Sequence, residues 1–189
     1  MLKMVSIAAV VGLASAFTMP ATYSPKPHKL NAAAATASRR ALDDATIVAI
    51  FDEANTADIE TSGLAEKRGS SPDVRALGKQ FAHDHTAVRQ QGRDLAKKLG
   101  VKPTKPNPDP GADAAAAALK DLQSKHGADF DKAYLAHEVA YHQQVIDALN
   151  NTLIPAIQNA ELKAFVQKIV PAFEGHLAAA KNLQAKIGQ

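Results

Sequence analysis

The chain contains no cysteine and no tryptophan, and only 5% of its 189 residues are aromatic. The absence of cysteine excludes disulfides, thiolate metal ligands, cysteine nucleophiles and covalently attached c-type haem. A large charge of one sign is also missing, because the formal net charge is +3 and the Lys and Arg residues are spread along the sequence. The sequence therefore has no cluster of basic residues of the kind that binds nucleic acid, and we expect no nucleic-acid partner.

Apolar residues are plentiful, at 46%, but they rarely form long runs. The exception is residues 4–17, which follow Lys3 and contain Ala14-Ser15-Ala16, the small-x-small form after which signal peptidases cut. This pattern predicts a signal peptide over residues 1–16 and export across the inner membrane to the periplasm. An uncleaved N-terminal anchor is the alternative. The mature protein is expected to have no membrane span.

Glycine and proline divide the rest of the chain. Three prolines in residues 17–42 predict a flexible tether, which includes His28 as a solvated residue. The remainder, residues 43–189, is predicted to form one domain with no strand. Its helices are expected at residues 43–68 or 44–68, 72–99, 112–126, 129–153 and 160–187.

The connection between the second and third long helices has an unusual length. It covers residues 101–127, holds four closely spaced prolines, and includes the short helix predicted at 112–126. A link of this length can run the full height of a helical bundle. The expected fold is therefore an all-α, ferritin-like four-helix bundle with a long crossover that carries a short extra helix. A plain up-down bundle with a loose loop is the alternative.

Polar residues interrupt the apolar face of every long helix. Apolar residues recur at steps of three and four along each helix, and this spacing places the polar residues inside the bundle. The interrupting residues are Asp58 in the first helix, His85 in the second, Glu138 and His142 in the third, and His176 in the fourth.

Counting from the turns places these residues at a common depth. The turn at residues 71–72 lies midway between Asp58 and His85, and Asn159 lies midway between His142 and His176. At about 1.5 Å per residue, His85 and His142 each lie roughly 20 Å from the end of the bundle where the link would deliver the chain. Asp58 and the three histidines are therefore expected to share one layer.

An ionised carboxylate and three imidazoles cannot be buried without partners, because unpaired burial costs several kcal/mol. A divalent transition metal such as Zn, Fe or Cu would satisfy them. The predicted ligands are Asp58, His85, His142 and His176, with Glu138 as a further ligand or as a residue that orients His142.

Neighbouring residues have supporting or peripheral roles in this hypothesis. Tyr134 would line the site, and Asp84 would brace a neighbouring imidazole. His83, His126 and His137 fall off the apolar faces and are expected at the surface.

Three alternatives to a single-metal site remain open. A metal-free layer of hydrogen bonds could fix the register of the helices. A non-covalent haem could bind between two of the histidines. A di-iron carboxylate centre is disfavoured because it needs Glu-x-x-His on two helices, whereas Ala82 precedes His85 and Phe173 precedes His176 at that spacing.

Three stretches of the sequence carry a family resemblance. They read DIETSGLAEKRGSSPDVRALGKQFAHDHT, FDKAYLAHEVAYHQQVID and FEGHLAAAKNLQ. They resemble the bacterial family called domain of unknown function 4142, over about residues 44–183. The resemblance implies an exported protein with a ferritin-like helical fold, and it implies no particular activity. The most specific marks are Asp58 with Gly63-Leu64-Ala65, the Asp84-His85 pair, Phe130-Asp131-x-x-Tyr134, His142 and His176.

The expected function is that of a metal-binding bundle in metal handling or oxidative-stress defence. The alternative is a non-catalytic envelope or stress protein whose polar layer is structural. A third option is an oxidoreductase that uses the bound metal beside Tyr134 or Tyr141.

Overall fold

Helices make up most of the computed structural model, which describes residues 42–188. The predicted signal peptide and all but the last residue of the predicted tether, with His28, lie outside the described residues. No strand occurs among residues 42–188. The helices are α1 (Asp44–Arg68), α2 (Pro72–Leu99), α3 (Pro110–Gln123), α4 (Gly127–Ala148), the π-helix π1 (Leu149–Leu153), the short α5 (Ile154–Ala156) and α6 (Ala160–Ile187).

The ends of α1, α2 and α6 follow from local capping chemistry. The Asp43 carboxylate accepts a hydrogen bond from the Thr46 amide at 2.8 Å, and the Ser71 hydroxyl accepts one from the Asp73 amide at 3.2 Å. Asn159 caps α6 in the same way. These caps satisfy amide groups that have no partner within the helix. The bounds of the three helices agree with the sequence prediction.

The helices α1 and α2 form a closely packed antiparallel hairpin. Gly78 of α2 lies directly against the α1 backbone, where an added Cβ would lie 2.7 Å from the Ser62 carbonyl oxygen. Only glycine fits at this distance. The close approach brings the polar residues near the middle of α1 next to α2.

Two carboxylates show how the second hairpin, α4 with α6, is attached to the first. Asp131, near the start of α4, accepts hydrogen bonds from the amides of Ser70 and Ser71 at 2.8 and 2.7 Å. At the opposite end, Asp44 accepts hydrogen bonds from the amides of Gln158 and Asn159 at 2.8 and 2.9 Å. The chain leaves α2 at the end that holds Asp44 and enters α4 at the end that holds Asp131. The link therefore crosses the full height of the bundle, and α3 packs on α1 along the way.

The helix in the link lies earlier than predicted. It spans Pro110–Gln123 rather than residues 112–126. The Asp109 side chain caps it by accepting from the Ala112 amide at 3.2 Å. Pro110 is tolerated because a proline in the first turn loses no helical hydrogen bond. The predicted helix at residues 112–126 therefore began two residues too late and ended three residues too late.

The third long helix also differs from its predicted range of residues 129–153. It begins at Gly127, and its α-helical hydrogen bonding ends at Ala148, after which π1 covers Leu149–Leu153. Pro155 follows shortly afterwards, and in a regular helix a proline ring meets the carbonyl of residue i−4. The wider π turn accommodates Pro155 while Leu149 and Leu153 stay buried.

A polar layer divides the core into two apolar clusters. One cluster surrounds Phe51, Ile146 and Phe173, and the other surrounds Phe81 and Phe130. The buried polar residues between them are Asn55, Asp58, Thr61, Ser62, His85, Glu138, His142 and His176. This layer is the candidate functional site.

Apolar length along the helices is limited. Within residues 42–188, no helix combines the length and the apolar character that crossing a membrane would need.

Candidate metal centre

Asp58, His85, His142 and His176 meet at one level of the core, each contributed by a different long helix. Asp58 is completely buried, and the three histidines are between 1% and 7% exposed. Equal distances from the two hairpin turns bring Asp58 level with His85 and His142 level with His176. Because the link crosses the height of the bundle, the pair Asp58 and His85 lies at the same level as the pair His142 and His176.

The three imidazoles face one another through ring nitrogens. His85 Nε2 lies 3.4 Å from His142 Nε2 and 3.2 Å from His176 Nδ1. One nitrogen from each ring belongs to a group whose members all lie within 4.8 Å of one another. Only those ring nitrogens that carry no hydrogen can bind a metal ion.

The three imidazoles are neutral at neutral pH. Burial lowers the pKa of His85 well below its usual value, and the neighbouring imidazoles lower it further. Burial also lowers the pKa values of His142 and His176. A neutral imidazole has one N–H donor and one unprotonated acceptor nitrogen. The hydrogen-bond partner of each ring therefore decides which nitrogen is free.

The N–H of His85 is held by Asn55. The Asn55 Nδ2 group donates to the Phe51 carbonyl at 2.8 Å, which fixes the orientation of the amide. Asn55 Oδ1 therefore faces His85 and accepts from its Nδ1 at 2.9 Å. The Nε2 of His85 is left unprotonated, and it points into the layer.

The other two histidines are oriented in the same manner. His142 Nδ1 donates to the carbonyl oxygen of Glu138 at 3.1 Å, and His176 Nε2 donates to Asp84 Oδ2 at 3.2 Å. Three unprotonated nitrogens consequently converge: Nε2 of His85, Nε2 of His142 and Nδ1 of His176. Metal-binding histidines are usually oriented by such acceptors on the second ring nitrogen.

The separations between these nitrogens match those of a metal centre. Zinc–imidazole bonds are about 2.0–2.1 Å long, so two nitrogens of a tetrahedral site lie about 3.3–3.4 Å apart. The two distances at His85, 3.2 and 3.4 Å, bracket that value. The nitrogens of His142 and His176 complete a group in which all ligand atoms lie within 4.8 Å of one another.

Asp58 supplies a fourth donor atom. Its Oδ1 accepts from the Ser62 hydroxyl at 3.0 Å, and Ser62 in turn accepts from the Tyr134 hydroxyl at 3.0 Å. Its Oδ2 is buried without a hydrogen-bond partner. Oδ2 lies 3.5 Å from His85 Nε2 and 3.7 Å from His142 Nε2. Asp58 thus places a carboxylate oxygen beside two of the three imidazoles, and it forms a group of possible metal ligands with Glu138 and His142.

Glu138 lies behind His142. One of its oxygens, Oε2, is 3.3 Å from His142 Nδ1, the nitrogen that faces away from the other imidazoles, and has no hydrogen-bond partner. The other, Oε1, accepts from the Thr61 hydroxyl at 3.4 Å. The hydrogen bond that orients His142 goes to the Glu138 backbone carbonyl, so both roles predicted for the Glu138 carboxylate stay predictions. Together with Asp58 and His142 it also forms a second group of metal-ligating side chains.

The two carboxyl groups resist ionisation together. Burial raises the pKa of Glu138 to about 8. Burial, followed by the nearby charge of Glu138, raises the pKa of Asp58 well above its usual value. In the metal-free protein Glu138 therefore retains its proton at neutral pH. A bound cation would reverse this preference by stabilising the ionised carboxylates.

The chain matches a known protein family. The family described as "Domain of unknown function (DUF4142)" matches residues 29–183 of the chain. The chain belongs to the DUF4142 family. No curated protein and no solved structure matches it.

Two tyrosines among residues 42–188 of this DUF4142 chain, Tyr134 and Tyr141, form hydrogen bonds with groups other than the candidate ligands. The Tyr134 hydroxyl bonds to the Ser62 hydroxyl, and Ser62 in turn donates to Asp58. Tyr141 donates its hydroxyl to the Ala54 carbonyl at 2.8 Å. Burial raises the pKa values of both tyrosines. They are consequently protonated donors that hold the layer together.

The histidines predicted at the surface behave differently from one another. His83 and His126 are exposed. His137 is half-buried, so that its predicted surface position was wrong. Its ring stacks on Tyr141 with a centroid distance of 5.4 Å, and burial lowers its pKa to about 4. The stacking covers an otherwise open face of Tyr141.

Sequence reasoning missed Asn55 and Ser62. Only Asp58 was predicted as a polar residue inside the first helix, whereas Asn55 and Ser62 are buried as well. A signal was present, because Phe51, Asn55, Asp58 and Ser62 follow one another at steps of four, three and four residues. That spacing describes a polar stripe on one face of the helix.

Proposed function

We propose that this DUF4142 chain is an exported protein that binds one divalent transition metal ion through His85, His142, His176 and Asp58. The observation that carries the proposal is the convergence of three imidazole nitrogens, in which His85 Nε2 lies 3.4 Å from His142 Nε2 and 3.2 Å from His176 Nδ1. Three neutral nitrogens and a carboxylate oxygen suit Zn, Fe or Cu. Metal handling and oxidative-stress defence are the roles that fit such a site.

The fold that we propose is a ferritin-like four-helix bundle. Two antiparallel hairpins and a link that crosses the height of the bundle support this assignment. The site differs from di-iron bundles, because His85 and His176 have Ala82 and Phe173 where Glu would be required. A mononuclear centre is therefore the proposal.

Export is part of the proposal and rests on the sequence. The apolar run at residues 4–17 and the Ala14-Ser15-Ala16 site support a signal peptide over residues 1–16. The periplasm is the proposed compartment, and residues 17–42 are the proposed tether to a domain at residues 43–189. N-terminal sequencing of the secreted protein tests the cleavage site.

One observation favours a second candidate function. The polar layer lies between two apolar clusters. Within it, the side chains of Asn55 and Thr61 donate hydrogen bonds to backbone carbonyls of their own helix. Such a layer can fix helix register without a ligand. On this account the protein is a structural or interaction protein of the cell envelope.

Metal content separates the two functions. Protein made without a His-tag is analysed for metals and then titrated, after chelation, with Zn, Fe(II), Cu(II) and Mn(II). One equivalent of metal is expected, and the variants His142→Gln and His176→Gln are expected to bind it more weakly than wild type. His83→Gln is the matched control, because that side chain is exposed. Circular dichroism verifies that each variant folds.

Thermal unfolding supplies an independent measurement. A ligand present at about 100 times its Kd stabilises the folded state by about 2.7 kcal/mol. For a domain of this size we expect Tm to rise by roughly 5–10 °C. A folded protein that contains no metal, and whose Tm no added metal raises, would contradict the metal proposal and support the structural one.

A further inference from the structure

A small cavity lies beside the imidazoles, between α1 and α4. Its volume is about 70 Å³. Ala54 of α1 and Val145 of α4 contribute to its walls, and His85 and His142 line it as well. The cavity and the candidate metal centre therefore share two side chains.

The polar groups in the cavity wall already have partners. The Tyr141 hydroxyl donates to the Ala54 carbonyl. The Asn55 amide is held between His85 and the Phe51 carbonyl. A buried water needs two to four polar partners, and this wall offers none beyond the ring nitrogens of the centre itself. The cavity is therefore suited to an apolar guest.

Size limits the guest to a few atoms. A single water occupies about 10–15 Å³ on this measure, and an apolar cavity of about 150 Å³ binds benzene or xenon. A volume of 70 Å³ falls between these values. An ion or a charged solute is excluded, because burying a charge among apolar groups is unfavourable by several kcal/mol or more.

The π-helix and an exposed alanine shape the cavity. Leu149 and Leu153 of π1 line one side, and π turns are frequent at functional sites. Ala148, which also lines the cavity, is exposed to solvent. Ala148 therefore borders both the cavity and the solvent.

We propose that this cavity binds a small neutral gas molecule, of the class of dioxygen and nitric oxide, and holds it against the rings of His85 and His142. Delivery of that molecule to a bound metal rests on the metal site proposed above. Occupancy of the cavity itself does not depend on the metal.

Xenon tests occupancy in the metal-free protein. Under xenon pressure, NMR should show saturable shifts of the methyl groups of Ala54, Val145 and Leu149. Ala54→Leu fills the cavity and should remove the shifts of Val145 and Leu149, and the amide spectrum verifies that the variant folds. Wild-type protein without shifts at these methyl groups, or an Ala54→Leu variant with unchanged shifts, would overturn the proposal.

Nitric oxide tests delivery in Fe(II)-loaded protein under anaerobic conditions. The iron–nitrosyl EPR signal should form at least ten-fold more slowly in Ala148→Leu than in wild type. Ala140→Leu is the matched control, because Ala140 is also exposed on α4 and does not line the cavity. Equal rates in Ala148→Leu and Ala140→Leu would contradict delivery past Ala148. Failure of the metal site is recognised separately, by the absence of bound iron.

Discussion

His85 Nε2 and His176 Nδ1 lie 3.2 Å apart, and in the neutral rings the hydrogen bonds on the opposite sides leave both nitrogens without a hydrogen. The opposite nitrogens of the two rings donate to Asn55 and Asp84. Two lone pairs at this distance repel each other unless a positive charge lies between them. A proton can bridge one such pair, but His142 Nε2 is a third nitrogen only 3.4 Å from His85 Nε2. A metal cation satisfies all three.

Asp84 is predicted to strengthen metal binding without touching the metal. Its carboxylate holds His176 Nε2–H at 3.2 Å and thereby keeps Nδ1 free. Asp84→Ala should weaken metal affinity by roughly 10- to 100-fold, as measured by competition with a chelator. Nitrogen NMR should show that His176 loses its preference for the tautomer protonated at Nε2.

His83→Ala is the control for Asp84. His83 contacts the outer oxygen of the same carboxylate at 3.2 Å but is exposed to solvent. Its removal should leave the metal affinity unchanged. An affinity of Asp84→Ala within twofold of wild type would show that His176 does not depend on Asp84.

The stability of the metal-free protein should fall as the pH rises from about 6.5 to about 8. Burial raises the pKa of Glu138 from 4.5 to about 8, so the folded state binds a proton more tightly than the unfolded state does. A raised carboxyl pKa therefore lowers stability progressively between the unfolded and the folded pKa. The lowered pKa values of the buried histidines act below about pH 6.5, where they make stability rise with pH.

Glu138→Gln should remove much of the fall above pH 6.5, and bound metal should also reduce it, because a cation stabilises the ionised carboxylates. Chemical denaturation at several pH values measures the effect. Glu60→Gln is the control, because Glu60 is an exposed residue of α1. This variant should keep the pH dependence of stability that wild type shows. The assignment to Glu138 fails if both variants show the same pH dependence.

The contact between α1 and α2 at Gly78 should be essential for the geometry of the layer. A Cβ at this position would lie 2.7 Å from the Ser62 carbonyl oxygen and 2.8 Å from the Glu66 amide nitrogen. Gly78→Ala must push the helices apart, and we expect a loss of about 1–3 kcal/mol in the free energy of unfolding. Ser62 bonds to Asp58, so weaker metal binding should accompany the loss.

Gly63→Ala is the matched control on α1. An added Cβ there has no heavy atom within 4 Å. Because glycine is a poor helix former, this substitution should stabilise the protein by about 0.5–1 kcal/mol. Urea denaturation measures the free energy of unfolding of the two variants. Equal changes in Gly78→Ala and Gly63→Ala would show that α1 and α2 can accommodate a Cβ at Gly78 without cost.

The bounds of α1, α2 and α6 and the shared level of the histidines could be predicted from sequence because local chemistry determines both. Asp43, Ser71 and Asn159 cap their helices with their own side chains. Equal spacing from a turn places two residues of a hairpin at one height. Neither inference requires knowledge of side-chain direction or of long-range contacts.

The orientation of the imidazoles could not be predicted in this way. Whether His142 presents Nε2 or Nδ1 depends on the Glu138 carbonyl, and the direction of His85 depends on Asn55 from another helix. The position of Glu138 behind His142 follows from rotamers rather than from spacing. The π turn at Leu149–Leu153 also escaped prediction, because its sequence fits an α-helix equally well.

X-ray absorption at the edge of the bound metal tests the central claim most directly. Zinc-loaded protein should show four nitrogen or oxygen neighbours at about 2.0–2.1 Å, with the outer scattering of three imidazoles. The contribution of one imidazole should disappear in each of His85→Gln, His142→Gln and His176→Gln, and should persist in His83→Gln. A spectrum with fewer than two imidazoles, or one that these substitutions leave unchanged, would contradict the proposed centre.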